Sequence, residues 1–309
     1  MITDSNSIVS VLIATYNGER YLHQQLQSVL DQTYTPLEII ISDDGSTDNT
    51  LSIIDDFQKK NLNIFLVKNI EKGVTNNFIN AYKNSTGNFL AFCDQDDYWL
   101  PQKIELLMKR IGDRSLAYHN SLFVNENGKS MSKTLGDKIN FYTGDNPLVF
   151  LLQNCISGHA CLFTKELMEL AIPFPKARYH DWWLAFVAAS NNGVVYLPEV
   201  LVHYRQHSSS KTDILVMKKG YKHIKEWQKY SEEVEWFECC SVLKNDHQDF
   251  IKEWSLLYQK KEIQWLNIKL FLLGIKSRKI LYSMNKKGRI SVFFEALKLL
   301  WGIPLKKLL

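Results

Sequence analysis

Three carboxylates fall within four residues of the stretch "FLAFCDQDDYWLP" (Phe89–Pro101). Asp94, Asp96 and Asp97 close an apolar run that reads as a buried strand. Like charges so close together cost free energy unless a cation lies between them. In an extended strand end, residues two apart face the same way, so Asp94 and Asp96 are expected to aim at one point and Asp97 elsewhere. Two hard oxygen ligands aimed at one point suit Mg²⁺ or Mn²⁺, which also take phosphate oxygens and water. The competing reading is a turn and capping cluster ahead of a helix begun by Pro101.

Two further strand-like runs end in polar clusters: "IVSVLIAT" (Ile8–Thr15) leads into "TYNGER", and "LEIIIS" (Leu37–Ser42) into "DDGSTDNT". Both are nearly continuous apolar and β-branched, as strands covered on both faces should be. "NIFLVKN" (Asn63–Asn69) is another strand, and "FLAFC" (Phe89–Cys93) the fourth. Between them Leu22, Leu26, Val29 and Leu30, then Leu51, Ile54 and Phe57, then Val74, Phe78, Ala81 and Tyr82 recur at helical spacing. Ile104, Leu107, Met108 and Ile111 do so after Pro101, and Ser46 or Asp48 is placed to cap the second helix. Strands alternating with helices imply an α/β fold, a right-handed, doubly wound and mainly parallel sheet, whose ligands bind beyond the carboxyl ends of the strands. The three polar clusters are therefore expected to share one crevice.

"TYNGER" offers only Gly18, so no G-x-G-x-x-G follows the first strand. A dinucleotide on a helix N-terminus is disfavoured, and a diphosphate would rest on metal. Asp43 and Asp44 could accept hydrogen bonds from a base N–H or a ribose hydroxyl, with Thr15 and Tyr16 beside them. Either aspartate could instead serve the Gly45 turn or the helix cap.

With 309 residues, 45% hydrophobic and 23% charged, the chain can fill a full core, and disorder is excluded. The formal charge of +4 is uneven: nine Lys/Arg from Ile275 to Leu309 face Glu295 alone, a local +8 that leaves −4 on residues 1–274. Nucleic acid is excluded as a partner, because the basic residues lie far from an acidic crevice. Cys93, Cys155, Cys161, Cys239 and Cys240 are odd in number and form no CxxC pair, which points to a reducing, cytosolic compartment. Met1–Ser7 is polar and unlike a leader, and no apolar stretch reaches the ~18–20 residues of a spanning helix, so the chain is expected neither secreted by that route nor integral to a membrane. Residues 120–144 read as a polar loop or weak hairpin. The expected organisation is a catalytic domain over residues 1–211, with halves 1–115 and 116–211, and a helical, basic region over 212–309.

Taken together, "VLIATYNGERYLHQQLQSVLDQTY", "IIISDDGSTDNT" and "FCDQDDYW" resemble the nucleotide-sugar-binding half of family 2 glycosyltransferases, which have the GT-A fold. The resemblance spans residues 8–210 and implies an inverting, metal-dependent transfer. It places Asp43 at the base, lines the donor nucleotide with Thr15, Tyr16, Asn17, Asp44 and Gln95, and gives Asp94 and Asp96 the metal, ribose and diphosphate. More loosely, "ISGHACLF" resembles the acceptor-side glycine loop, bringing Gly158 and His159 to the sugar, and "YHDWW" stands where the family has an acidic pair ending in the catalytic base, here Asp181. His180 occupies the place of the family's preceding Glu. "HYRQH" resembles the segment whose His completes the metal site, with His207 ahead of His203. Asp181 as a plain helix N-cap, and either His as an ordinary core or surface residue, are the structural alternatives. Trp99, Trp182 and Trp183 could stack on sugar faces, though large aromatics more often fill cores.

"DQDDYWLPQK", "HDWWLA" and "YRQH" look most like the bacterial rhamnosyltransferase branch, which builds cell-wall or capsular polysaccharide from dTDP-L-rhamnose. The resemblance thus implies a dTDP- or UDP-sugar donor, Mn²⁺ or Mg²⁺, and a glycan or polyprenyl-linked acceptor. UDP-hexose or UDP-hexosamine is the alternative donor. A sugar nucleotidyltransferase would need a Gly-rich, basic loop after the first strand, and a non-catalytic nucleotide-binding module would not need Asp181. The tail "GRISVFFEALKLLWGIPLKKLL" mixes Phe293, Phe294, Leu297, Leu300 and Trp301 with lysines, as in helices lying in an anionic membrane interface. That pattern implies a cytoplasmic protein peripheral to the inner face of the cell membrane; a core-packed or homodimerising helix is the alternative.

Overall fold

The computed structural model describes residues 7–207, 226–286 and 288–306. The expected boundary at residue 211 and two tail lysines, Lys287 and Lys307, lie outside them. The chain divides into two compact units, each returning to residues far apart in sequence.

The first unit holds residues 7–137, 156–172 and 194–207 of those described. Its elements are β1 (Val9–Thr15), α1 (Leu22–Leu30), β2 (Leu37–Asp43), α2 (Thr50–Gln58), β3 (Ile64–Lys68), α3 (Val74–Lys83), β4 (Phe89–Asp94), β5 (Tyr98–Trp99), α4 (Lys103–Ile111), β6 (Leu116–Val124), β7 (Ser130–Thr134), β8 (Cys161–Thr164) and α5 (Lys165–Ala171). In the second unit lies α6 (His180–Ala189), after which β9 (Val194–Arg205) returns to the first. One nine-stranded sheet runs β3-β2-β1-β4-β8-β6-β9-β5, with β7 paired to β6. β1 to β4 are mutually parallel, β8 is antiparallel to β4 and β6, and β9 is parallel to β6. This is the expected α/β sheet of GT-A type, mainly parallel, and β6–β7 is the expected weak hairpin.

The sequence pattern explains the core. Val9, Val11, Leu12, Ile13, Ile39, Ile40, Ile41, Leu90, Ala91 and Phe92 are buried, as central strands covered on both faces require. Ile104, Leu107, Met108 and Ile111 of α4 are buried on one side of that helix. Register sets the level of the strand ends: Thr15 pairs with Asp43 and Ala14 with Asp94, so β1, β2 and β4 end on one edge of the sheet.

The second unit contains residues 138–155 and 173–193 together with the helices α7 (Glu226–Val242), α8 (Gln248–Gln259), α9 (Ile268–Lys276), α10 (Arg278–Leu281), α11 (Arg289–Leu297) and α12 (Ile303–Lys306). Residues 138–155 and 173–193, expected within the catalytic half, belong here because an aromatic cluster gathers them. Trp236 of α7 donates its indole N–H to Leu151 O at 2.8 Å and packs against Trp182, Trp183 and Phe186 of α6. Among the described residues no helix is long and apolar enough to cross a membrane.

Candidate active site

The loops after β1 and β2 are stitched together by their own polar side chains. Asn17 takes a left-handed backbone (φ 48°), tolerable for Asn, and its Oδ1 accepts from Thr47 N–H at 2.8 Å. Asn17 N–H donates to Ser46 Oγ, Gly18 N–H to Thr50 Oγ1 and Glu19 N–H to Asp48 Oδ2. The N-cap of α2 is Asn49 rather than Ser46 or Asp48, the two expected caps; Asp48 Oδ1 accepts from Thr50 N–H at 3.0 Å just ahead of the helix.

Asp43 is 4% exposed and its carboxylate is already engaged. Thr15 Oγ1 and Ser46 Oγ donate to Oδ1 at 3.0 and 2.5 Å, and the Gly45 and Ser46 N–H groups donate to Oδ2 at 2.9 and 2.8 Å. These bonds fit the turn role weighed for this residue, and Thr15, 1% exposed, is bonded into the same turn. Asp44 is less buried; it accepts from Asn69 Nδ2 and from Gly73 N–H, each at 3.0 Å. Tyr16 is 53% exposed at the edge. Gln95 clamps Tyr16 at two points, its Oε1 accepting from Tyr16 N–H at 2.9 Å and its Nε2 donating to Tyr16 O at 3.1 Å. The end of β1 is thereby fixed to the turn after β4.

The three aspartates meet three different fates. β4 ends at Asp94 and a turn follows at residues 95–96, so the alternation that was to aim Asp94 and Asp96 at one point stops before it can act. Asp96 Oδ2 lies 2.8 Å from His207 Nε2, with the Asp96 side chain 21% exposed and that of His207 8%. Asp97 is wholly buried: Oδ1 accepts the Arg205 N–H at 2.9 Å, and among the described residues Oδ2 has no hydrogen-bond partner. Burial, helped by the neighbouring Asp96 and Asp94 charges, pushes its carboxyl well above the usual range. Asp94, with a 41% exposed side chain, lies 3.9 Å from His159 Nδ1, and Asp97 lies 3.8 Å from the same nitrogen.

His159 was expected at the sugar; instead it is 2% exposed, its Nε2 2.9 Å from Ser121 Oγ and its ring against Tyr204. Burial, then the Lys103 charge, lowers its pKa to about 3, so the imidazole is neutral. Gly158, buried in a short 3₁₀ turn, has the same environment. Trp99 is corrected likewise: it is 0% exposed, with the Lys103 ammonium 3.1 Å from its ring centroid, and no sugar can stack on it.

His203 lies on β9 beside Tyr98 rather than at the acidic turn. Lys103 was missed by sequence reasoning. It is fully buried, donates to His159 O at 2.6 Å, and burial lowers its pKa to about 7. Its signal was legible: 103, 107 and 111 lie on one helical face, so a lysine occupies α4's apolar stripe.

The remaining candidates stand in the second unit. Asp181 lies in the first turn of α6, where a carboxylate is favoured by the helix dipole, next to half-buried His180. Trp182 donates its indole N–H to Phe150 O at 2.6 Å, and its ring is engaged by Arg178 and Trp236. It is a packing residue rather than a free platform, and Trp183 is buried.

Carboxylates and a neutral imidazole form the donor set of a hard divalent cation. Ligand-type atoms of Asp94, Asp97 and His159 lie within 4.8 Å of one another, and Asp96 and His207 form a second such pair. The orphaned Asp97 Oδ2 is the kind of atom a cation would satisfy.

The sequence profile of Glycosyl transferase family 2 matches residues 10–170. The chain is 27% identical over 207 residues to the Escherichia coli UDP-Glc:alpha-D-GlcNAc-diphosphoundecaprenol beta-1,3-glucosyltransferase WfgD, covering 66% of this chain and 79% of that one. It is 29% identical over 216 residues to the Shigella flexneri dTDP-rhamnosyl transferase RfbG, covering 64% and 73%. Of three further relatives it covers only 66%, 59% and 53% of their length. Among solved structures, the mannosyltransferase PcManGT from Pyrobaculum calidifontis in complex with GDP-Man and Mn²⁺ superposes with a TM-score of 0.53 at 15% identity, over 98% of this chain and 83% of that one.

Proposed function

The chain belongs to glycosyl transferase family 2, and we propose that it transfers a sugar from a nucleoside diphosphate to a glycan or polyprenyl-linked acceptor in bacterial cell-surface polysaccharide synthesis. The observation that carries this reading is the common level at which β1, β2 and β4 end, each in polar residues. L-Rhamnose from dTDP-L-rhamnose is the first donor to test, supported by the likeness to RfbG. UDP-glucose or another UDP-hexose is the second, supported by WfgD, whose own acceptor is a diphosphoundecaprenol lipid.

With Asp43 committed to its turn, base and ribose recognition falls to Asp44, Tyr16 and the Gln95 edge, with Asn17 shaping the loop. Asp96 and His207 would hold Mn²⁺ or Mg²⁺, with Asp94 the other partly exposed carboxylate of the cluster. They are more accessible than buried Asp97 and His159, which share their pocket with the Lys103 ammonium. Bound there, the metal would supply neutralisation of the charge on the departing diphosphate. Asp181 is the base: as the acceptor oxygen bonds to the anomeric carbon and the bond to the diphosphate oxygen breaks, its carboxylate takes the hydroxyl proton. Ile290, Phe293, Phe294 and Trp301, all exposed beside a basic tail, supply a face for the inner leaflet of the cell membrane, where the acceptor lipid would lie.

Two variants separate the roles. Asp96→Asn is expected to lose the Mn²⁺-dependent part of dTDP or UDP binding, measured calorimetrically with Mn²⁺ or EDTA. Asp181→Asn should keep that binding and lose transfer by about 10²-fold or more. Full transfer by Asp181→Asn would remove it as the base, and nucleotide affinity indifferent to EDTA would remove the metal.

A further inference from the structure

We propose that Arg205 is a positioning residue for the donor site, tying the Asp96–Asp97 turn to the end of β9 and so setting Asp96 against His207. This inference rests on the metal-dependent donor binding proposed above. Arg205 is 3% exposed, and its donors reach separate segments of chain. Its main-chain N–H donates to Asp97 Oδ1 at 2.9 Å, and Nε donates to Asp96 O at 2.8 Å. Nη1 donates to Glu126 O at 3.0 Å beyond β6, and Nη2 to Gln24 Oε1 at 2.8 Å on α1. The guanidinium also lies 4.6 Å from the Tyr21 ring centroid, and that ring is 5.1 Å from the His207 imidazole.

This geometry differs from charge neutralisation. The guanidinium sits beside an acidic turn, yet its hydrogen bonds go to two main-chain carbonyls and an amide oxygen, and only the backbone N–H meets a carboxylate. A planar fork can hold three acceptors on three segments at once, whereas an ammonium on a flexible stem carries the same charge without that span. Gln206 continues the anchoring, its N–H donating to Val124 O at 2.8 Å, so His207 departs from a fixed point towards Asp96 Oδ2. The two pieces of the candidate metal pair come from residues 111 apart in sequence, and Arg205 bonds directly to the turn that carries one and stands two residues before the other.

The test compares the full chain with Arg205→Lys and Gln24→Met, the second removing one acceptor of the fork. Affinity for dTDP and UDP is measured calorimetrically with Mn²⁺ and with EDTA, and amide hydrogen exchange is followed over residues 93–99 and 203–207. The expected result is an Mn²⁺-dependent gain in affinity that Arg205→Lys reduces at least about tenfold, as removal of a partner behind a metal ligand does, while affinity in EDTA holds within about twofold. Exchange should quicken over 95–97 and stay unchanged in β1 and β2. Gln24→Met should lose part of the same gain, which keeps the test decisive if Arg205→Lys does not fold. Variants that keep the whole gain, or lose affinity equally in Mn²⁺ and EDTA, overturn the inference while the metal reading stands. A wild-type chain with no Mn²⁺-dependent gain overturns both.

Discussion

Gly18 offers a sharp test of how the site is held. A Cβ built on it would lie 2.5 Å from Gln95 Oε1 and 2.8 Å from Gln95 Cδ, well inside contact distance. Its backbone is outside the left-handed region, so Gly18→Ala strains no torsion and acts only by displacing the Gln95 amide. That amide makes both hydrogen bonds to Tyr16, at 2.9 and 3.1 Å, and both are solvent-exposed. At about 0.5–1 kcal/mol each, the low end for such bonds, the substitution is expected to cost about 1–2 kcal/mol. Gln95→Ala should cost a similar amount for the same reason. The double variant should cost hardly more than either, because the alanine methyl then no longer meets the Gln95 amide, so a double-mutant cycle by urea denaturation should return about 1–2 kcal/mol of coupling. Additive costs would show that Gly18 is needed for something other than Gln95. A Gly18→Ala chain as stable as wild type would show that the amide finds equivalent bonds elsewhere, and the clamp on Tyr16 would carry no weight.

Lys103 should leave a signature in pH. Its folded pKa of about 7 lies below the ordinary 10.5, so folding disfavours the ammonium: the penalty is full below pH 7, worth up to about 5 kcal/mol, and is relieved as pH rises towards 10.5. Lys103→Met removes that penalty and also the bond to His159 O, itself worth about 2–3 kcal/mol. The variant is therefore expected to gain about 2 kcal/mol at pH 6, with the advantage shrinking and reversing by pH 10, in denaturation series across that range; a pH-independent difference would refute it. At the other end of the chain, Phe293→Ser with Phe294→Ser, at residues 46% and 58% exposed, should weaken co-sedimentation with anionic vesicles by about tenfold or more and leave folding unchanged. Binding that is unaltered, or insensitive to salt, would argue against a membrane face there.

The strands and helices of the first unit were legible because burial writes period and composition directly into the chain. β1, β2 and β4 are continuous apolar runs, and the four apolar residues expected on α4 are all buried. The convergence of polar loops on one edge followed from topology alone. What was not legible came from places where regular periodicity stops. Alternation predicts facing only while a strand lasts, and β4 lasts only to Asp94. Trp99 carries no local mark separating a sugar platform from a core residue, since the difference is whether α4 brings Lys103 over its ring. The second unit draws on segments 138–155 and 173–193 because of contacts such as Trp236 to Leu151, which link residues 85 apart. Asp43 was read from its motif as a ligand group, while its four donors come mostly from its own turn, a local pattern the residues Gly45 and Ser46 already suggested.

The free-energy problem posed by three clustered carboxylates is solved by separation rather than by one counter-ion. Asp97 is taken inside, where burial pushes its carboxyl well above the usual range. Asp96 is turned to His207, and Asp94 is left half exposed above a neutral His159. Two buried cations stand behind the turn, and neither ion-pairs directly with it: Lys103 bonds a carbonyl, and the Arg205 guanidinium bonds carbonyls and an amide. A cluster neutralised by internal salt bridges would have no reason to attract a further cation. Here the positive charge supports the backbone, while the side chains of Asp94 and Asp96 stay 41% and 21% exposed.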